Sequence, residues 1–171
     1  YKERALFMLI NVYKVKIRNP EIASVLSDFL LGINPEHENK IDLDENLGDD
    51  YAGADKIIGN IKNKALVKLD NGDVQVDRTN AKNLIFLSQM YTIFRPDGEN
   101  AKQHLHDASE FARSIADNEQ LLNILNLLIE NYPSSKEGQE ALFLKAFYIE
   151  NNENNIEEAR KLYEEFIEKF P

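Results

Sequence analysis

The chain repeats itself. Shifted by thirty-eight residues, segment 104–133 falls on 142–171 without a gap. Ala108 meets Ala146, Glu119 meets Glu157, Ile129 meets Ile167, Glu130 meets Glu168 and Pro133 meets Pro171. Leu105, Phe111, Ile124, Leu125, Leu128 and Tyr132 meet other apolar residues at the same offset. Self-similarity at a period of about 20–50 residues restricts a chain to stacked units, because one such unit cannot bury its apolar face alone.

Each unit reads as two helices. In the last helix Ala159, Leu162, Tyr163, Phe166, Ile167 and Phe170 follow the spacing of one helical stripe. Asn155 offers a cap oxygen to that helix, with Glu158 three residues on. Pro171 marks its stop, since a residue before proline avoids helical backbone. The partner helix, about 137–151, contains "ALFLKAFYI" and is apolar nearly all round, so it needs cover on more than one side. Ser134 with Glu137 is the expected capping box for it, and "NNENN" the turn after it. In the earlier unit "AKQHLHDASEFARSIA" is the first helix, "DNEQ" the turn and cap, and "LLNILNLLIENY" the second helix.

This pattern resembles the tetratricopeptide repeat. The likeness is carried by Ala146, Ala159, Tyr163 and Pro171, and repeated in part by Ala108 and Pro133. Leu121 replaces the small residue the family prefers, and the glycine and tryptophan typical of the first helix are missing. "NYPSSKEGQEALFLKAFY" followed by "EEARKLYEEFIEKFP" is most similar to the subgroup found in bacterial periplasmic and outer-membrane-lipoprotein-associated proteins. The resemblance implies an α-α superhelix, protein binding in a concave groove, and a periplasmic or outer-membrane-associated location, with a lipoprotein as one form of it. A cytoplasmic location is the alternative.

Residues 1–99 carry the pattern in degenerate form. "RALFMLINVYKVKI" and "PEIASVLSDFLLGI" read as a helical hairpin, with Asn19 as cap and Pro20 in the first turn. Ala23 and Leu26 stand as far from Pro35 as Ala159 and Leu162 stand from Pro171. Residues 36–50 are acidic and polar and read as a loop, and "YAGADKIIGNIKNKA" as a weaker helix because of its two glycines. Alternation around Asp70-Asn71-Gly72 predicts a β-hairpin insertion around 65–77. It reads either as a ribbon joining two helices or as a lip for a partner. Thr79 then opens "AKNLIFLSQMYTIF". The expected fold is therefore all-α. It has tetratricopeptide-like repeats at 100–133 and 134–171, a degenerate region at 1–99, and one small β-hairpin, in one continuous solenoid.

The chemistry a sequence can advertise is sparse. With no cysteine among 171 residues, disulfides, thiolate metal sites and cysteine nucleophiles are excluded. The net charge of −10 argues against nucleic acid and against anionic membrane surfaces, and leaves a protein or peptide partner, basic segments among them. No apolar run reaches the ~18 residues of a membrane span. A signal or lipid-attachment segment removed before residue 1 would leave no trace here. Three fragments bear on metals. "DDYAGAD" (49–55) matches an aspartate-rich magnesium spacing but lacks the arginine pair and the second cluster that such enzymes need. "DLDENLG" (42–48) has its glycine one place late for a calcium loop. His104 and Asp107 of "HLHD" share a helix face, but a third ligand has no source. Ordinary polar surface explains all three, so no catalytic, cofactor or metal residues are assigned.

Three functions stand from different classes: a binding module, a self-associating scaffold and a helical metalloenzyme. The binding module is the reading adopted. The geometry implied by the resemblance turns Lys102, Ser109 and Arg113 of one unit toward the groove, and Glu140, Phe147 and Asn151 of the next.

Overall fold

The structure, a computed structural model, describes residues 1–170. Among them the chain is mostly helical, with one small antiparallel ribbon. Nine α-helices follow one another: α1 Lys2–Asn11, α2 Pro20–Ile33, α3 Lys40–Leu47, α4 Ala54–Ala65, α5 Arg78–Phe94, α6 Ala101–Ser114, α7 Asn118–Asn131, α8 Lys136–Asn152 and α9 Ile156–Lys169. A π-helical segment, Val12–Ile17, prolongs α1, and strands β1 Leu66–Lys68 and β2 Val74–Val76 lie between α4 and α5. Contacts divide the chain into two compact units, Tyr1–Asp97 and Gly98–Pro171.

Four helices, α2, α5, α7 and α9, share one grammar of ends. The side chains of Asn19, Asp77, Asp117 and Asn155 each accept the backbone N–H three residues on, at 3.1, 2.7, 3.4 and 3.2 Å, which satisfies one of the free donors of a first turn. At the other end Asn34, Arg95, Tyr132 and Phe170 each donate N–H to the carbonyl four residues back. Their φ angles lie between −138° and −131°. Each precedes a proline, whose ring disfavours helical geometry in the residue before it. The helices before α2, α7 and α9 are joined to them by one device. Arg18, Ala116 and Asn154 are the three non-glycine residues with positive φ among those described, at 58°, 54° and 52°, and each stands immediately before the cap. In the first and last of these turns the cap N–H closes on the carbonyl six residues back, Asn19 to Tyr13 and Asn155 to Ile149. The first hairpin therefore matches the last at an offset of 136 residues, and Ala5-Leu6-Phe7 falls on Ala141-Leu142-Phe143.

In the first unit α1 pairs with α2, α4 pairs with α5, and α2 packs on both α4 and α5. Ile22, Leu26, Phe29, Leu30, Ile58, Ile61, Leu84 and Leu87 are fully buried. The ribbon interrupts the α4–α5 hairpin without opening it, since Asp77 donates its N–H to the Ala65 carbonyl at 2.8 Å. Its register pairs Leu66 with Val76 and Lys68 with Val74. Leu69 donates to Asp73 at 2.8 Å and Gly72 to Leu69 at 2.9 Å, with Gly72 at φ 89°. That is a three-residue loop whose last position needs left-handed backbone, hence glycine.

Three local expectations are corrected. Residues 36–50 are not a loop throughout, because α3 lies within them. It packs on α2 through the fully buried Leu43 and through Asn46, whose amide donates to the Ser27 hydroxyl at 3.1 Å, and Gly48 at φ 68° ends it. Only Leu43 of its apolar residues is buried, while Ile41 is exposed, so no apolar stripe registers as periodicity. Helix α8 is capped by Ser135, not Ser134. The Ser135 hydroxyl accepts from the Gly138 N–H at 3.0 Å, so Glu137 stands too early to complete a capping box. Helix α5 starts at Arg78 behind Asp77, one residue before Thr79.

Candidate partner-binding groove

In the second unit α6 pairs with α7, α7 with α8 and α8 with α9, and α6 also touches α8. Two antiparallel hairpins thus lie side by side with their first helices adjacent. The apolar stripe of α9 and the all-round apolar α8 meet in a cluster of Leu142, Ala146, Ile149, Ala159 and Leu162, and Ile129 of α7 packs against it. Phe143, Tyr163, Phe166 and Phe170 extend it, with ring centroids 5.4–5.8 Å apart. Gly138 seats α8 on the preceding hairpin. A β-carbon there would fall inside the van der Waals shell of the Tyr132 carbonyl oxygen and 2.8 Å from its carbon.

The seating leaves a cleft of about 280 Å³ between the end of α6, the start of α7 and the C-terminal half of α8. Leu121 and Leu125 floor it, Phe147 and Tyr148 wall it, and Arg113 and Asn152 stand at its polar edge. A shallower depression continues along α6 and α8, past His106, Glu110, Arg113, Glu140 and Phe143. Charges on this face are paired: Arg113 with Glu110, and Lys136 with Glu140 at 3.5 Å. The Glu137 carboxyl accepts its own backbone N–H and lies near Lys102, which holds it below the usual carboxylate range. The second unit carries fifteen acidic and seven basic residues, so −8 of the chain's −10 resides there.

Of the six groove residues expected from the sequence, Ser109, Arg113 and Phe147 meet at the cleft, and Arg113 and Glu140 meet in the depression. Ser109 is buried and its hydroxyl donates to the His106 carbonyl at 2.7 Å, so it belongs to the floor. Phe147 is 51% exposed. Lys102 and Asn151 line neither hollow; the Asn151 amide donates to the Phe147 carbonyl at 2.8 Å. Sequence reasoning missed Phe143, one turn before Phe147, although the i, i+4 spacing within the apolar stretch "ALFLKAFYI" was available to it. It also missed Leu121 and Leu125 as floor. Leu121 stands where the resembled family prefers a small residue.

The fragments that suggested metals are used otherwise. Asp49 and Asp50 are exposed in a turn, and Asp55 accepts from the Tyr91 hydroxyl at 3.1 Å. "DLDENLG" is largely helical, in α3. His104 is buried rather than a surface histidine, because α6 turns that face inward, and Asp107 accepts from Gln103 at 3.0 Å. Among the described residues no three His, Asp or Glu converge. A cluster of polar side chains lies in the first unit. There Asp28 accepts from the Tyr51 hydroxyl and the Arg95 guanidinium, both at 2.9 Å, and Arg95 lies over the Phe29 ring. It ties α2 to the loop before α4 and to the end of α5. Among the described residues no helix is long and apolar enough to cross a membrane.

Comparison with protein-family models, with curated proteins and with solved structures finds no match to this chain.

Proposed function

We propose that the chain is a non-catalytic binding module of a bacterial cell envelope. In this reading its second unit is a tetratricopeptide-like pair of hairpins that holds a protein or peptide partner along the α6–α8 face. The observation that carries the proposal is Phe147: a large aromatic, half exposed, at the rim of a cleft with a leucine floor. An aromatic the core does not need is the residue type that anchors interfaces. The cleft is below the usual size of a small-molecule site and has room for one bulky apolar side chain. The excess acid of this unit favours partners with lysine or arginine beside that anchor, by steering and complementarity.

Arrayed peptides test it, each holding one leucine or phenylalanine flanked by lysines, beside versions with the anchor changed to alanine or the lysines to glutamate. The chain binds the first set and not the controls. Phe147→Ala loses the bound spots while far-ultraviolet circular dichroism stays unchanged. Equal binding by Phe147→Ala would remove the groove from the account. The envelope assignment rests on the resemblance of 131–171 to periplasmic repeat proteins. Fractionation of cells producing the natural protein checks it, with the envelope fraction expected and the cytosol contradicting it.

A further inference from the structure

The tip of the ribbon between α4 and α5 holds the one asparagine of this chain that is followed by glycine, Asn71-Gly72. Asn71 is exposed, and nothing lies within 4 Å of where a Gly72 β-carbon would stand. With no side chain beside it, the Gly72 nitrogen can approach the Asn71 side chain closely. The Asn71 amide is held and polarised. Its Oδ1 accepts the Asp73 N–H at 3.1 Å, and its Nδ2 donates to the Asp73 carboxylate at 2.7 Å. A donor on Oδ1 draws charge from Cγ and supports the negative oxygen that forms when a nucleophile adds there. One bond restrains the nucleophile: the Gly72 N–H donates to the Leu69 carbonyl at 2.9 Å. Strands of three residues with an exposed tip open locally at little cost, which frees it.

We propose that Asn71 is a modification site, losing its side-chain ammonia to attack by its own backbone, and that the product unfastens the ribbon. The Gly72 nitrogen gives its proton to hydroxide and bonds to Cγ of Asn71, closing a five-membered imide. The Cγ–Nδ2 bond breaks, and the amide nitrogen takes a proton from water and leaves as ammonia. Water then opens the imide. Cleavage between the Gly72 nitrogen and Cγ leaves aspartate. Cleavage between that nitrogen and the backbone carbonyl carbon leaves isoaspartate, whose main chain runs through Cβ and Cγ. One water enters, one ammonia leaves, and nothing is oxidised. Loop length fixes hairpin register, and isoaspartate adds one atom to the main chain of this three-residue loop. Leu69 and Asp73, whose N–H and carbonyl meet at 2.8 Å, then close no longer, and the register of Leu66 with Val76 goes with them. The change ends at the base of the ribbon. There the Asp77 N–H donates to the Ala65 carbonyl and the Asp77 side chain caps α5. The inference concerns the first unit alone and is independent of the groove on α6 and α8.

The folded chain, held at mildly alkaline pH and sampled over time, tests it. Peptide mass spectrometry with isoaspartyl methyltransferase labelling shows Asn71 converting before any other asparagine, at a rate proportional to hydroxide, with isoaspartate at 71. In the purified isoaspartate form, hydrogen exchange read by nuclear magnetic resonance speeds up at the Leu69 amide. The Asp77 amide stays protected and far-ultraviolet circular dichroism is unchanged. Asn71→Asp carries the new charge without the extra main-chain atom, and its Leu69 amide stays protected. An Asn71 that remains intact, or another asparagine that converts first, overturns the inference. So does an isoaspartate form whose Leu69 amide exchanges as slowly as before, and so does equal loss of protection in Asn71→Asp.

Discussion

Two glycines inside helices separate the account from a generic helical bundle, because alanine should move them in opposite directions. Gly59 lies within α4 with no atom within 4 Å of an added β-carbon. Replacing glycine by alanine in such a place gains about 1 kcal/mol from the lower backbone entropy of the unfolded chain and better helix propensity. Gly138 lies in the first turn of α8 and is buried, with the Tyr132 carbonyl pressed against it and the Leu128 carbonyl oxygen 3.2 Å from the added carbon. The obstacle is backbone, held by Tyr132's own place at the end of α7, so it cannot swing aside. Moving α8 off α7 costs about 1–3 kcal/mol as overpacking. It also loosens the contact of Ile129 with the cluster beyond. Set against the same propensity gain of ~1 kcal/mol, Gly138→Ala is a net loss of up to about 2 kcal/mol, toward the upper end because the clash is with backbone. Urea unfolding followed by circular dichroism reads both: the midpoint rises for Gly59→Ala and falls for Gly138→Ala, with unchanged slope. A rise for both would mean that α8 does not sit on the end of α7, and the side-by-side arrangement of the two hairpins would go with it.

Three further outcomes follow from the same structure. Asp28→Ala leaves the Tyr51 hydroxyl and the Arg95 guanidinium without their shared acceptor; both are partly solvated, so the loss is about 1–2 kcal/mol, read as a lower urea midpoint, and no change would make the cluster ornamental. Tyr91 is pushed up to about 12 by burial and by the adjacent Asp55, and burial and Asp28 raise Tyr51 as well. The unfolded chain therefore loses these protons first. Their stabilisation is complete below the ordinary tyrosine value of 10.0 and is lost as pH rises toward the folded value. Phenolate absorbance of the folded protein should show these two titrating last, and a Tyr91→Phe variant should lose less stability over that range; equal alkaline loss contradicts the assignment. Ala116→Gly relieves left-handed backbone in the α6–α7 turn and gains up to about 1 kcal/mol by thermal unfolding, whereas Asn154→Gly gains less because asparagine tolerates that region; the reverse order would refute the shared turn geometry.

What the sequence disclosed, and what it withheld, follows from the range of the interactions. Caps at Asn19, Asp117 and Asn155 are short-range chemistry, as is the glycine of the ribbon turn, and each stands where the residues indicated. Proline after Asn34, Tyr132 and Phe170 ends a helix for a reason contained in two residues. Helix α3 was hidden because its stability comes from outside, from Leu43 and Asn46 meeting α2. The left-handed turns at Arg18, Ala116 and Asn154 were hidden because three unlike side chains occupy one backbone conformation, so the repeat shows in φ and not in residue type. In the groove, Phe147 stands at the cleft on the face that the resemblance turns toward it. Ser109 was misread as a contact residue because helical phase alone does not say which small side chain ends as floor. Lys102 fell outside the hollows because it lies nearer the start of α6 than either reaches, and Asn151 because it is turned away from the cleft between Tyr148 and Asn152, which do line it.

The central claim is that the hairpins 100–133 and 134–171 pack side by side, with α8 seated on α7. Methyl-specific nuclear Overhauser contacts from Ile129 test it most directly. The account predicts cross-peaks from Ile129 to the cluster of Leu142, Ala146, Ile149, Ala159 and Leu162 in the next hairpin. Contacts confined to residues of α6 and α7 would contradict it.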